Sequence, residues 1–215
     1  VTPAVAVLTE ERILDAAEDV LRRFGPAKAT VVDVAKALGV SHGSVYRHFP
    51  TKVALRDAVA RRWLDRLVEP LDPARDTDGP AAERLLRWLE RLAAIKQGLA
   101  LNDPELFATF SQLTTEAREV VAAHVDHLAA MITAIIADGV SSGEFVVTDP
   151  VTAGRAVLHA TARFHHPLHA KEWADPAIGS ELQEVWRLLV QGLAARPQDS
   201  HPQPRAVDGH GGGRA

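Results

Sequence analysis

The sequence predicts an all-α protein of about nine helices. Three observations carry that expectation. Apolar residues recur at intervals of three and four through nearly every patterned segment, the period of a helix with one buried stripe. Glycine and proline interrupt the pattern where helices would stop or start. No segment sustains the alternation of a half-buried strand. The 215 residues suit one or two domains with a sizeable core. Aromatics make up only 5%, so aliphatic residues and alanine must fill most of that core.

The first helix is marked by Ile13, Ala16, Ala17, Val20, Leu21 and Phe24, one stripe capped by Thr9 and stopped by Gly25-Pro26. Glu10 and Glu11 suit its positive end, and Arg22 and Arg23 its negative end. The second helix starts after Thr30, with Asp33 as capping-box partner, and ends at Gly39; Val34, Ala35 and Leu38 are its apolar positions. Ser41 caps a third helix, His42 to about His48, anchored by Val45 and Phe49. Pro50 disfavours helix at Phe49. Thr51 caps a fourth, from Lys52 to about Val68, with Leu55, Val59, Trp63 and Leu67 every four residues.

Pro70, Pro73, Gly79 and Pro80 mark the best internal boundary. Longer helices are expected at roughly 81–98, 104–113, 116–138, 150–166 and 178–195, with Pro80, Pro104 and Pro150 at first helical positions. Asp103 and Asp149 are matching caps, and Gly139 and Gly143 flank a turn. The expected domains are therefore 1–69, including an N-terminal arm, and 80–196. A tail at 197–215, rich in Pro, Gly and His, is expected to be disordered.

The net charge of −4 hides a division. Residues 28–66 carry eight basic and three acidic side chains, whereas residues 71–215 carry 13 basic and 19 acidic ones. The basic first half suits either an anionic partner or a solvated face. Cysteine is absent, which excludes disulfides, thiolate metal sites and cysteine nucleophiles. The longest uncharged stretch inside the expected fold, His127 to Ala137, is too short to span a membrane. Val1 to Leu8 lacks the features of a signal peptide, so a cytoplasmic protein is expected.

The segment Thr30 to Lys52, TVVDVAKALGVSHGSVYRHFPTK, places two short helices around a tight Gly39-Val40-Ser41 turn. This is the helix-turn-helix layout, whose second helix enters the major groove of DNA. A seven-residue helix is not stable alone, so the first and fourth helices must hold it by packing. Its outward residues His42, Gly43, Ser44 and Arg47 are small or polar, which allows close approach to base edges.

Ala35-x-x-Leu38-Gly39-Val40-Ser41, Gly43-Ser44-Val45-Tyr46 and His48-Phe49-Pro50-x-Lys52, after the Thr30 start, resemble the DNA-binding domain of the tetracycline-repressor family of bacterial transcription factors. The pattern covers about residues 9 to 56; beyond it, only helix count, helix lengths and size match. The resemblance implies an all-helical homodimer on double-stranded DNA, with a helical second domain for dimerisation and for a small-molecule effector that lowers DNA affinity. It further implies phosphate contacts from Thr30, Tyr46 and Lys52, base-edge contacts from His42, Gly43 and Ser44, and contacts from Arg47 and His48 to backbone or base. His42 stands where many members carry Lys or Arg, which makes that base contact weaker or pH-dependent.

In the second domain, Trp88, Phe107, Phe110, Met131 and Phe164 are either plain core or the lining of an effector pocket, with His127 as its polar handle. Together with the scarcity of cationic side chains there, they favour a mainly apolar effector over a nucleotide. For the apolar positions Val157, Thr161, Phe164, Leu182, Val185, Trp186, Leu189 and Leu193 the family resemblance implies a four-helix interface between two subunits, with burial inside one chain as the competing reading. His165, His166 and His169, with His124 and His127 upstream, suggest a metal-responsive regulator as the alternative, although Pro167 interrupts their helical spacing. No cofactor is expected. An enzyme is the remaining class, and no nucleophile elbow or Ser/His/Asp order supports it.

Overall fold

The computed structural model describes residues 7–72 and 78–194. The first six residues and the tail at 197–215 lie outside the described residues. Within them are nine α-helices and no sheet: α1 (Glu10–Lys28), α2 (Val31–Leu38), α3 (His42–His48), α4 (Lys52–Val68), α5 (Ala81–Asn102), α6 (Pro104–Glu116), α7 (Arg118–Ser141), α8 (Pro150–Ala160) and α9 (Ile178–Leu193).

The first four helices begin as their caps dictate. The Thr9, Ser41 and Thr51 side chains accept from backbone N–H groups three residues on. Gly25 breaks α1 with φ 73°, where a side chain would be strained, so the regular helix ends at Phe24 and a short Pro26 turn follows.

Four later expectations need correction. The helices α5, α6 and α7 run three or four residues past their expected ends. Gly139 lies inside α7 rather than in a turn; a Cβ there would sit 2.3 Å from the Phe145 ring, so glycine serves close packing. Pro80 precedes α5 as its cap residue, and the missing side-chain cap comes from Glu144, whose carboxylate accepts from the N–H groups of Ala81 at 2.5 Å and Ala82 at 2.9 Å. The helix expected over 150–166 stops at Ala160 and gives way to three-ten turns at Ala162–Phe164 and Pro167–Glu172. Thr161, fully buried, donates its hydroxyl to the Val157 carbonyl, and Pro167 lacks the N–H that would continue the helix.

The core has three parts. The first joins Ile13, Val20, Leu21, Val34, Val45, Val59 and Trp63 of α1–α4 to Phe110, Leu113 and Val120 of α6 and α7. Packing therefore crosses the sequence boundary at 70–80. The second gathers Leu85, Trp88, Leu89, Met131, Ile132, Ile136, Val157 and Trp186 from α5, α7, α8 and α9. The third, smaller, joins Ala93, Phe107, Phe164, Trp173, Ile178 and Leu182.

By length and composition α7 could cross a membrane, contrary to the expectation that no segment is apolar enough. Leu128, Met131, Ile132, Ile135 and Ile136 are instead buried in the bundle, which explains an apolar helix here. Val157, Phe164, Leu182, Trp186 and Leu193 are likewise buried within the single chain, and Thr161 with them.

Candidate nucleic-acid interface

The geometry of the interface begins at Thr30. Its hydroxyl accepts from the Asp33 N–H at 3.2 Å and donates to the Asp33 carboxylate at 2.5 Å, while the Thr30 N–H donates to the same carboxylate. This closed capping box starts α2. It also occupies the Thr30 hydroxyl, which leaves the first amides of α2 as the freer donors toward an anion. Gly39 ends α2 in the left-handed region at φ 67°, and its N–H donates to the carbonyls of Ala35 and Lys36. That turn sets α3 against α2.

Two apolar anchors hold α3. Val45 is fully buried, and Phe49 nearly so. The other face is outward: His42, Gly43, Tyr46 and Arg47 are exposed, and Ser44 and His48 half-buried. The Ser41 hydroxyl accepts from the Ser44 N–H, Ser41 and Ser44 share a hydroxyl bond at 3.0 Å, and Arg47 donates to the Ser44 hydroxyl at 3.2 Å. Ser44 therefore couples the cap to the guanidinium. The His42 ring meets Tyr46 edge-on at 6.3 Å. Gly43 has no crowding neighbour, the nearest to a Cβ being Ser41 Oγ at 3.7 Å. Without a side chain it leaves the outer surface low at this position. Lys52, exposed, opens α4 beside this surface.

The charge of the first half is partly internal. Arg62 binds Asp15 and Glu18, Arg66 binds Glu18, and Arg56 pairs with Glu116 of α6. Three of the eight basic side chains thus join helices. Arg47 and Lys52 remain on the outer face.

The second-domain candidates do not share one space. Trp88 is buried with Met131 and donates its indole N–H to the Leu71 carbonyl at 2.8 Å. Phe107 and Phe164 belong to the third core part, with Phe107 edge-on to Trp173. Phe110 packs on Trp63 in the first. The His127 side chain is exposed, which corrects its expected place as a handle inside the bundle.

The histidine cluster is also divided. His165 is buried beside Thr161, the His166 ring accepts from the Leu168 N–H, and His169 contacts Glu172 at 2.8 Å. Among the described residues no group of three or more His, Cys, Asp or Glu side chains could hold a metal. The described residues therefore do not support the metal-responsive alternative, the three rings having separate partners on successive three-ten turns.

Lys96 is a buried polar residue that the sequence reading does not single out. It is 5% exposed on α5, with its ammonium 3.4 Å from His124 Nε2. Its spacing after Leu85, Leu89 and Leu92 was the available signal: a lysine on the apolar stripe.

The family described as "Bacterial regulatory proteins, tetR family" matches residues 13–59, and "Tetracyclin repressor-like, C-terminal domain" matches residues 81–186. The HTH-type transcriptional regulator RutR of Escherichia coli K12 is 31% identical over 200 residues, covering 87% of this chain and 91% of the relative. An HTH-type transcriptional regulator of Mycobacterium tuberculosis is 35% identical over 95 residues; this match covers 44% of the chain and about half, 47%, of that relative. The crystal structure of a TetR transcription regulator from Haloarcula marismortui superposes with a TM-score of 0.65 at 21% identity, covering 86% of this chain and 98% of that one, a likeness of fold.

Proposed function

Because the chain belongs to the tetR family of bacterial regulatory proteins, we propose that it is a repressor that binds an inverted-repeat operator as a homodimer and is released by a small, mainly apolar effector. The observation that carries this reading is the outer face of α3. A short helix is fixed from behind by Val45 and Phe49, and it presents small, polar and cationic groups and the Tyr46 phenol in front.

In this reading His42, Gly43 and Ser44 meet base edges, and Arg47 and His48 reach base or backbone. Tyr46, Lys52 and the α2 N-terminus at Thr30 hold phosphates. One such helix reads few bases, so specificity requires two half-sites about 34–36 Å apart, or farther by whole helical turns. The effector reading rests on the largely aliphatic and aromatic interior of the second domain.

The test is selection of bound duplexes from a random library, followed by footprinting and sedimentation at micromolar concentration. A dimer on an inverted repeat is expected. A monomer that binds a lone half-site equally well overturns the reading.

A further inference from the structure

Lys96 has an unusual setting for a lysine. It projects from α5 into the second domain, almost wholly enclosed, and its one close polar partner among the described residues is His124 of α7. Burial lowers its pKa to about 8, and no carboxylate offsets that burial. At neutral pH the group is therefore mainly a cation without a counter-ion. An isolated buried charge is costly and normally paired.

The neighbouring groups bring no negative charge. An ammonium can only donate, so His124 Nε2 accepts from it and carries no proton. In the neutral ring the proton then sits on Nδ1, and that buried Nδ1 has no partner. Burial, followed by the field of Lys96, keeps His124 neutral with a pKa of about 3. His165 faces the same region and stays neutral for the same two reasons. Its Nε2 lies 3.3 Å from the Thr161 hydroxyl, whose proton goes to the Val157 carbonyl. Thr161 and Gln97, which donates to the Phe164 carbonyl at 2.9 Å, hold the turn that carries His165. The cluster therefore has one net positive charge, spare ammonium protons and an orphaned imidazole N–H. Beside it on α5, Ala93, Leu99 and Ala100 belong to the apolar group of Phe107, Phe164 and Trp173.

We propose that Lys96, His124 and His165 form the polar end of the effector site, and that the effector is an amphipathic monoanion with one carboxylate on an apolar body. The proposal rests on the effector-controlled reading above and supplies its chemical class. A single cation matches a single carboxylate, whereas a nucleotide with several charges would find no further partners here. The cluster also takes over the polar contact first sought from His127.

The test uses the full chain with octanoate, decanoate and phenylbutyrate, each against its primary amide at matched ionic strength. Near saturation a carboxylate should raise Tm by about 5 °C or more, and its amide should not. Lys96→Met removes the buried charge while keeping the length of the side chain. The unliganded variant should melt above the wild type, and its carboxylate affinity should fall roughly tenfold to a hundredfold. Imidazole nitrogen NMR should show the His124 signals moving with carboxylate in the wild type alone. Four outcomes overturn the proposal: no carboxylate stabilises the wild type, amides act equally, Lys96→Met keeps the response, or Lys96→Met melts lower because Lys96 is a satisfied structural group. Operator binding by the same proteins judges the regulator separately. A wild type that binds no inverted repeat sinks that reading, while the thermal comparison still decides the site.

Discussion

Trp63 of α4 and Phe110 of α6 stack face to face, with ring centroids 4.8 Å apart and planes 6° from parallel. The pair joins the helix that follows the recognition helix to the first core part's neighbour in the second domain. Beside it, Arg56 of α4 and Glu116 of α6 form an ion pair at 2.5 Å. The stack and the ion pair tie α6 to α4, so in the proposed reading a shift of α6 on effector binding would be passed to the first four helices.

Phe110→Ala should destabilise the protein by about 3–5 kcal/mol, because the ring is fully buried and its removal leaves a cavity under Trp63. Denaturant unfolding followed by tryptophan fluorescence measures the loss. Glu116→Gln should cost less than about 1 kcal/mol, since that carboxylate is mostly exposed. Comparable losses for the two variants would show that the stack is not the main tie.

Gly139→Ala should cost about 1–3 kcal/mol through overpacking. The added Cβ meets the Phe145 ring at 2.3 Å and the Ala81 Cβ at 2.9 Å. Combining it with Phe145→Leu should recover part of the loss if the clash is with the ring. Thermal unfolding of the single and double variants tests this, and strictly additive losses would contradict it.

Lys52→Ala should weaken binding to operator and unrelated DNA alike and lower the salt slope by about one per subunit. Ser44→Ala should act mainly on the operator, by about 1 kcal/mol. The structure adds a reason: its hydroxyl both lies on the outer face of α3 and receives the Arg47 guanidinium. Salt titrations on both DNAs distinguish the variants. Equal losses everywhere would remove the division of roles.

Acid should weaken the second domain. His124 and His165 have folded pKa values of about 3 and about 4, lowered by burial, against an ordinary value of 6.5. Between those limits the unfolded chain binds more protons, so stability is present above pH 6.5 and lost as pH falls. Each histidine contributes a slope of about 1.4 kcal/mol per pH unit in the middle of its window. Lys96 extends the same sign to alkali: folded near 8 and unfolded near 10.5, it should let stability rise between those values. Urea unfolding across pH, compared with His124→Gln and Lys96→Met, should show a flatter acid limb in the first and a flatter alkaline limb in the second.

Much of the interface was legible in the sequence. Thr30 with Asp33, Gly39, Ser41 and Thr51 are local signals, and each acts on backbone within four residues. Their spacing therefore determined where α2 begins and ends and where α3 and α4 begin, and the helical period then decided which side chains of α3 face outward. The helical class followed from the same short-range periodicity.

Tertiary structure decided what depends on distant partners. Glu144 caps α5 from more than sixty residues away, and Gly139 became a packing residue only when Phe145 turned back onto it. Phe110 sits with the first four helices although it follows the boundary at 70–80. The sequence determined the recognition face because caps, turns and helical period act within a few residues. Only the fold decided that a lysine on the α5 stripe meets His124 and lies within the electrostatic reach of His165, because burial and electrostatic pairing depend on which helices the chain brings together.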